Sequence, residues 1–316
     1  MSPARYALRR LVLGLLQVLT AASAVYALTE ALPGDAAVVR AGDNPDPARI
    51  AALRDELGLN VSAFDRFTGW LAGIAHGDLG TSLASGRPVA QELARGLAPT
   101  ALLAFGTLAL VVPVAVLLGA AAAARERGLL DRGLTVVGVA LYSVPEFALA
   151  VVLVAVFALH LGWLPATAVG AGADLTAEPA VLVLPFVVLA IRPVCSLARL
   201  VRVGLLDAYS SEHVRHARRL GLSSRRVLWR HALPGALAPA AQHLARTADW
   251  LLGGVVVVEA VFVVPGLGTA LVDAVAARDV AVVQGLAVVF AATTVAVNLL
   301  ADLAAFRLAP RAGVAT

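Results

Sequence analysis

Glu146, Arg192, Asp249 and Asp302 stand within or beside long apolar runs of a 316-residue chain. An ionisable group in hydrocarbon is costly, about 3 kcal/mol even on the mildest scales, so each is a candidate for function. Three readings are open to them: relaying protons or ions, pairing with one another, or facing a water-filled vestibule without touching a solute. Glu146 follows Pro145, about half-way along its run. Asp249 lies three residues after Arg246, a spacing that allows an ion pair on one helix. Glu259 follows in the same region, so Glu146, Asp249 and Glu259 are the candidates for a solute path. A second constellation is basic. Arg215, Arg218, Arg219, Arg225, Arg226 and Arg230 crowd one segment between two apolar runs. Such a segment suits nucleic acid, an anionic membrane surface or a docking protein.

Other chemistry is excluded. The chain has no Lys, so no G-x-x-x-x-G-K-[ST] phosphate loop can exist, and ATP must bind elsewhere. The single Cys195 rules out a disulfide framework and a Cys-rich metal site. The six His are scattered without paired ligand spacing, and no Ser/His/Asp arrangement stands out. No catalytic residue and no metal ligand is therefore expected.

The elements that must position these groups follow from composition. Hydrophobic residues make up 60% of the chain, charged residues 15%, and the mean hydropathy is +0.85. A soluble domain carries about 25% charged residues, so a membrane protein is expected. About 20 apolar residues cross a ~30 Å hydrocarbon core as a helix. Six runs have that length: Leu8–Leu28, Pro99–Ala123, Leu134–Leu159, Val181–Val203, Leu233–Val258 and Val280–Phe306. The first, with Arg9-Arg10 at its start and "AASA" within it, also has features of a cleaved signal peptide, but its apolar run is longer than a signal core. Arginine gathers before run one, between runs two and three, between runs four and five, and after run six. The positive-inside rule then places both termini and the basic segment in the cytoplasm. A tethered cytoplasmic loop is ill suited to reading DNA, and no nucleic acid is expected.

Residues 30–98 form a long outer loop with six Arg and nine acidic residues. Within it, "PARIAALRDELGLN" has helical periodicity, with Asp46-Pro47 at its start and Gly58 at its stop. Phe64, Phe67, Trp70 and Leu71 share one face of a following helix. In the basic segment, Ser211 is placed to cap a short helix with Glu212 in its first turn. That helix breaks at Gly221, and Ser223 or Ser224 opens a second one towards run five. Val214, Ala217 and Leu220 form its apolar side; Arg215, Arg218 and Arg219 form its basic side.

At these residues the chain resembles a known family. The basic loop is similar to the "EAA" loop of ABC importer permeases, matching its pattern at Ala217, Gly221, Leu233 and Pro234 and departing from it at Arg215, His216 and His231. "VVVEAVFVVPGLGTALVDAV" (Val256–Val275), "RDVAVVQG" (Arg278–Gly285), "VNLLADL", the terminal "APR", "GDLGTSLASGRPV" (Gly77–Val89), "LPGD" (Leu32–Asp35), "SVPEF" and "LGWLPATAVG" resemble the dipeptide, oligopeptide and nickel branch, in order along nearly the whole chain. The resemblance implies an all-α permease of six transmembrane helices with a long extracytoplasmic loop after helix 1. The division would be 1–98 (first helix and loop) and 99–316 (five-helix core with a coupling loop at about 205–235). It also implies Glu212, Arg215, Ala217, Arg218, Gly221, Leu233 and Pro234 in ATPase coupling. The implied partners are a second homologous permease, two ATP-binding cassette subunits that carry ATP and Mg, an extracytoplasmic solute-binding protein, and the lipid of a bacterial or archaeal plasma membrane. No cofactor is expected on this chain. A proton-coupled secondary transporter, working through Glu146 and Asp249, is the competing expectation.

Overall fold

The computed structural model describes residues 3–31, 36–42, 46–56, 58–171 and 175–308. Its helices are α1 (Pro3–Ala31), α2 (Ala36–Ala41), α3 (Pro47–Glu56), α4 (Ala63–Ala75), α5 (Val89–Ala124), α6 (Leu129–Ser143), α7 (Glu146–Leu153), α8 (Ala180–Ser210), α9 (Glu212–Arg219), α10 (Ser224–Arg226), α11 (Leu233–Phe262), α12 (Leu267–Ala276) and α13 (Val280–Leu308). Two stretches widen into π-helix, Val154–His160 after α7 and Val227–Ala232 after α10. Among the described residues there is no strand, only an isolated bridge between Thr81 and Pro88.

Among the described residues, four helices are long and apolar enough to cross a bilayer: Leu8–Ala31 of α1, α5, α8 and Val280–Leu300 of α13. Two broken pairs, α6 with α7 and its π-extension, and Arg246–Phe262 with α12, bring the number of candidate crossings to six. The third run is thus not the unbroken helix expected from Leu134 to Leu159. It bends by 105° between Ser143 and Glu146. Pro145 has no N–H to donate, and its ring drives the preceding residue out of the helical region; Val144 accordingly sits at φ −81, ψ 130. In contrast, α8 runs on through Pro185 and Pro193.

The chain divides into two compact units. One takes residues up to Thr100 together with Val264–Leu299; the other takes Ala101–Val263 and the residues from Leu300 on. In the first unit the segment after α1 is helical, as its periodicity predicts. The Asp46 carboxylate accepts from Ala48 N at 3.1 Å to open α3, and Gly58 lies beyond its end in the left-handed region (φ 64). Ser62 caps α4 by accepting from Asp65 N at 3.1 Å. The α4 face is only partly used: Phe67 stacks on Tyr26 of α1 with ring centroids 4.8 Å apart, while Phe64 stays exposed. Tyr26 also donates to Ala63 O at 2.5 Å, and Arg66 donates to Glu30 at 2.5 Å. That hydrogen bond holds the Arg66 guanidinium above its ordinary pKa.

The interior of this unit is Val89, Leu93, Leu267, Val282, Val283 and Leu286. Its polar centre is Asp279, which is almost fully buried. The carboxylate accepts from Ser82 Oγ at 2.5 Å, Leu83 N at 3.1 Å, Ala84 N at 3.2 Å and Val282 N at 3.3 Å. One side chain thereby ties the loop before α5 to the start of α13.

In the second unit α8 packs against α6 and α11 around Val111, Ala115, Leu197, Ala198, Val201, Leu205 and Ala236. Small residues bring the backbones close. A Cβ at Gly119 would stand 2.6 Å from Ala198 O, and one at Gly204 would stand 3.0 Å from the Ala236 backbone. Asp131 at the start of α6 pairs with Arg202 of α8, whose Nη2 donates at 2.7 Å, and accepts from Arg127 N at 2.8 Å.

Asp279→Ala leaves buried N–H donors without an acceptor, at about 1–3 kcal/mol each. The expected outcome is a lower melting temperature in detergent and faster proteolysis in residues 78–88. Asp279→Asn, which keeps an acceptor oxygen, is expected to lose less.

Candidate functional site

Two sets of sequence-predicted residues can be located. The first lies between α8 and α11. Ser211 occupies the N-cap position of α9 in extended conformation (φ −69, ψ 149), but its hydroxyl makes no cap. It donates instead to Ala208 O at 2.5 Å, in the preceding turn, and lies 3.1 Å from His213 Nδ1. The expected side-chain cap is thus corrected: closing the end of α8 takes the hydroxyl first. Glu212 is exposed in the first turn of α9 and pairs with Arg215 at 2.6 Å.

Val214 and Ala217 are buried in the second unit's core, so α9 rests on that core by one side. Leu220, expected beside them, is 67% exposed. The reason is the turn that ends the helix. Gly221 has φ 76 and its N–H bonds Arg218 O at 3.0 Å, while Leu222 N bonds Ala217 O at 3.4 Å. This 5→2 and 6→1 pair is a Schellman closure, which turns Leu222 inward to the place given to Leu220 by simple periodicity.

Arg215, Arg218, Arg219, Arg225, Arg226 and Arg230 are all exposed. Arg218 lies over the Tyr209 ring, 4.8 Å from its centroid. From Ser224 the chain stays helical into α11, with the π-turn Val227–Ala232 just before Leu233 and Pro234. Pro234 cannot donate to Arg230 O and crowds that carbonyl, and the wider π register falls in the turn that must absorb this. Leu233 is buried and Pro234 exposed. His213 Nε2 lies 3.1 Å from His231 O, tying α9 across to the π-turn.

The second set lies within the apolar helices. Glu146, the first residue of α7, is buried, and its carboxylate is 3.9 Å from Arg192 Nη1 of α8. The Arg192 guanidinium carbon lies 4.8 Å from the Tyr142 ring centroid and 5.3 Å from that of Trp250. A Cβ at Gly254 would stand 2.9 Å from Glu146 Oε2. The structure therefore pairs Glu146 with Arg192, a residue 46 positions away. Tyr142 and Trp250 were not visible as members of this group, because four separate elements contribute to it. Glu259 is fully buried near the end of α11, apart from this group in sequence. Asp249 lies in α11 and Asp302 in α13, but their side chains are outside the described residues, as are the LPGD and terminal APR stretches.

Long apolar helices joined by an exposed basic helical turn define a multi-pass membrane protein. The family can also be stated: the chain belongs to the binding-protein-dependent transport system inner membrane components, whose model matches residues 115–314, with the N-terminal model of such membrane components matching residues 4–95. It is similar to a probable peptide ABC transporter permease of Sinorhizobium fredii, 35% identical over 97% of this chain and 98% of that one. A putative peptide transport system permease of Brucella abortus is 34% identical over 94% and 95% of the two chains. A glutathione transport system permease of Pectobacterium atrosepticum is 36% identical over 88% and 89%. The all-α fold and the ABC importer permease class expected from the sequence thus hold.

Gly221→Val places a β-branched residue in the left-handed region, at a cost of about 1–2 kcal/mol. The turn is expected to fray, so trypsin should cut at the neighbouring arginines several-fold faster, whereas Gly221→Asn should behave nearly as wild type.

Proposed function

We propose that this chain forms half of the translocation pathway of an ATP-driven importer for peptides or a related small solute. A second homologous permease forms the other half. Two ATP-binding cassette subunits hold ATP and Mg, so this chain itself catalyses no reaction. An extracytoplasmic protein delivers the solute. Both termini and the α9–α10 turn lie on the cytoplasmic side of a prokaryotic plasma membrane, in keeping with the distribution of arginine.

The observation that carries the mechanism is the form of the α9–α10 turn. Val214 and Ala217 anchor α9 on the core at the end of α8, and the basic residues project from it. A short helix so held moves with the apolar helices behind it. Docked in a groove of an ATPase subunit, it converts closure of the ATPase pair into rocking of the helices, which is rigid-body alternating access. Glu212, Arg215, Ala217, Arg218, Gly221, Leu233 and Pro234 are the residues assigned to this coupling, the buried ones as footing and the exposed ones as contact. The peptide assignment follows the relatives, which are named for peptide and glutathione transport.

The test is reconstitution of the full assembly in vesicles. ATP-dependent uptake of a labelled short peptide is expected. Uptake by this chain alone, driven by a proton gradient without an ATPase subunit, would overturn the proposal in favour of a proton-coupled carrier. Charge reversal at Arg215 together with Arg218 is expected to lower substrate-stimulated ATPase activity several-fold while membrane insertion stays intact.

A further inference from the structure

We propose that Arg192 is the point within the membrane at which this permease meets the carboxylate of its solute, with Glu146 as the resident counter-ion that the solute displaces. The proposal rests on the peptide-permease reading above.

Depth is the first argument. Arg192 lies twelve residues into α8, about 18 Å from its start at 1.5 Å per residue. Trp250 lies seventeen residues into α11, about 26 Å from its start. Trp250 thus lies in the Arg246–Phe262 part of a broken crossing, and Arg192 is well inside a helix that crosses a ~30 Å core. An arginine there that keeps 26% of its side-chain surface open must face water or protein, because hydrocarbon does not tolerate it.

The second argument is a comparison within the same unit. Arg202 and Asp131 form a close structural pair, with Arg202 Nη2 donating to Asp131 Oδ2 at 2.7 Å. Arg192 and Glu146 do not. Their 3.9 Å separation is beyond hydrogen-bonding reach; Arg192 Nε is buried with no hydrogen-bond partner, as Arg202 Nε also is, so the two pairs differ in the Nη contact to the carboxylate. The guanidinium is charge-balanced but its donors are not used up. A planar carboxylate arriving from the open side can accept two of them at once, the geometry in which arginine binds carboxylates most strongly.

The third argument is orientation. Tyr142 and Trp250 both lie within cation–π range of the guanidinium and fix it without competing for its N–H groups. Glu146 is seated where Gly254 leaves no side chain. Displacing it from Arg192 leaves a buried carboxylate unpaired, which is costly unless a new cation arrives. A short peptide zwitterion brings both charges: its carboxylate for Arg192 and its ammonium for Glu146.

The experiment uses the complete transporter in vesicles, with the same saturating binding protein throughout. Uptake of Ala-Ala-Ala is compared with uptake of its C-terminal amide. Because the binding protein is common to all variants, its own selectivity cancels when the acid-to-amide ratios are compared. Arg192→Gln is expected to reduce that ratio on the order of 10-fold relative to wild type, the loss of one charge-assisted contact. Arg192→Lys should restore part of it. A purely structural role would lower uptake of both peptides equally, and an unchanged ratio in Arg192→Gln would overturn the proposal. Should that variant fail to insert, Glu146→Gln serves: both peptides lose the ammonium contact and only the free acid gains from removal of the competing carboxylate, so the acid-to-amide ratio should rise several-fold, and an unchanged ratio would overturn the proposal. If the wild type takes up neither peptide with ATP, the peptide reading fails and this proposal fails with it.

Discussion

Hydrocarbon offers the polypeptide backbone no hydrogen-bond partner, and the long apolar helices of this protein answer to that constraint. It requires the crossing segments to be helices, and it makes each interruption of a helix a site that must be closed by something specific. At Val144–Pro145 the break is one that proline imposes directly. At Val227–Ala232 a π register occupies the turn just before Pro234, which has no N–H to donate. At Gly221 the Ala217 and Arg218 carbonyls of α9 are satisfied by a Schellman turn. The irregular places are the same places to which function has been assigned.

Charge obeys a related rule. Buried ionic groups are tolerated where partners are built around them, and the chain shows two versions. Asp279 collects four donors, and Asp131 accepts directly from Arg202 and from the Arg127 N–H; both act as fasteners. Glu146 and Arg192 are balanced in charge yet incomplete in hydrogen bonding. The contrast separates a pair that holds structure from a pair with donors left to offer, and it does so inside one molecule, with no appeal to conservation.

Much of this was legible in the sequence. Length and hydropathy located the crossing segments, because 20-residue apolar runs have few other uses. Asp46-Pro47 and Gly58 bracketed α3, and Gly221 marked its turn, because local backbone preferences act over a few residues. What the sequence could not show was competition and distance. Ser211 looked like a cap, but its hydroxyl closes the preceding turn instead. Leu220 had the right period, but the turn at Gly221 hands its place to Leu222. The partner of Glu146 could not be read because Arg192 lies on another helix, and the i,i+3 spacing of Arg246 and Asp249 offered a nearer candidate. The division of the chain into units also cuts across its order, joining Val264–Leu299 to the N-terminal hundred residues.

The close crossings of α5, α8 and α11 carry one more consequence. Gly119 lets α5 lie against Ala198 and Val201, and Gly204 lets α8 lie against Ala236. Backbones in such contact cannot slide past one another without first lifting apart. Mechanically the three helices are a stiff beam, with α9 fixed near one end and Arg192 part-way along. In the proposed cycle, a push at the basic end reaches the buried charges as a displacement of the whole beam.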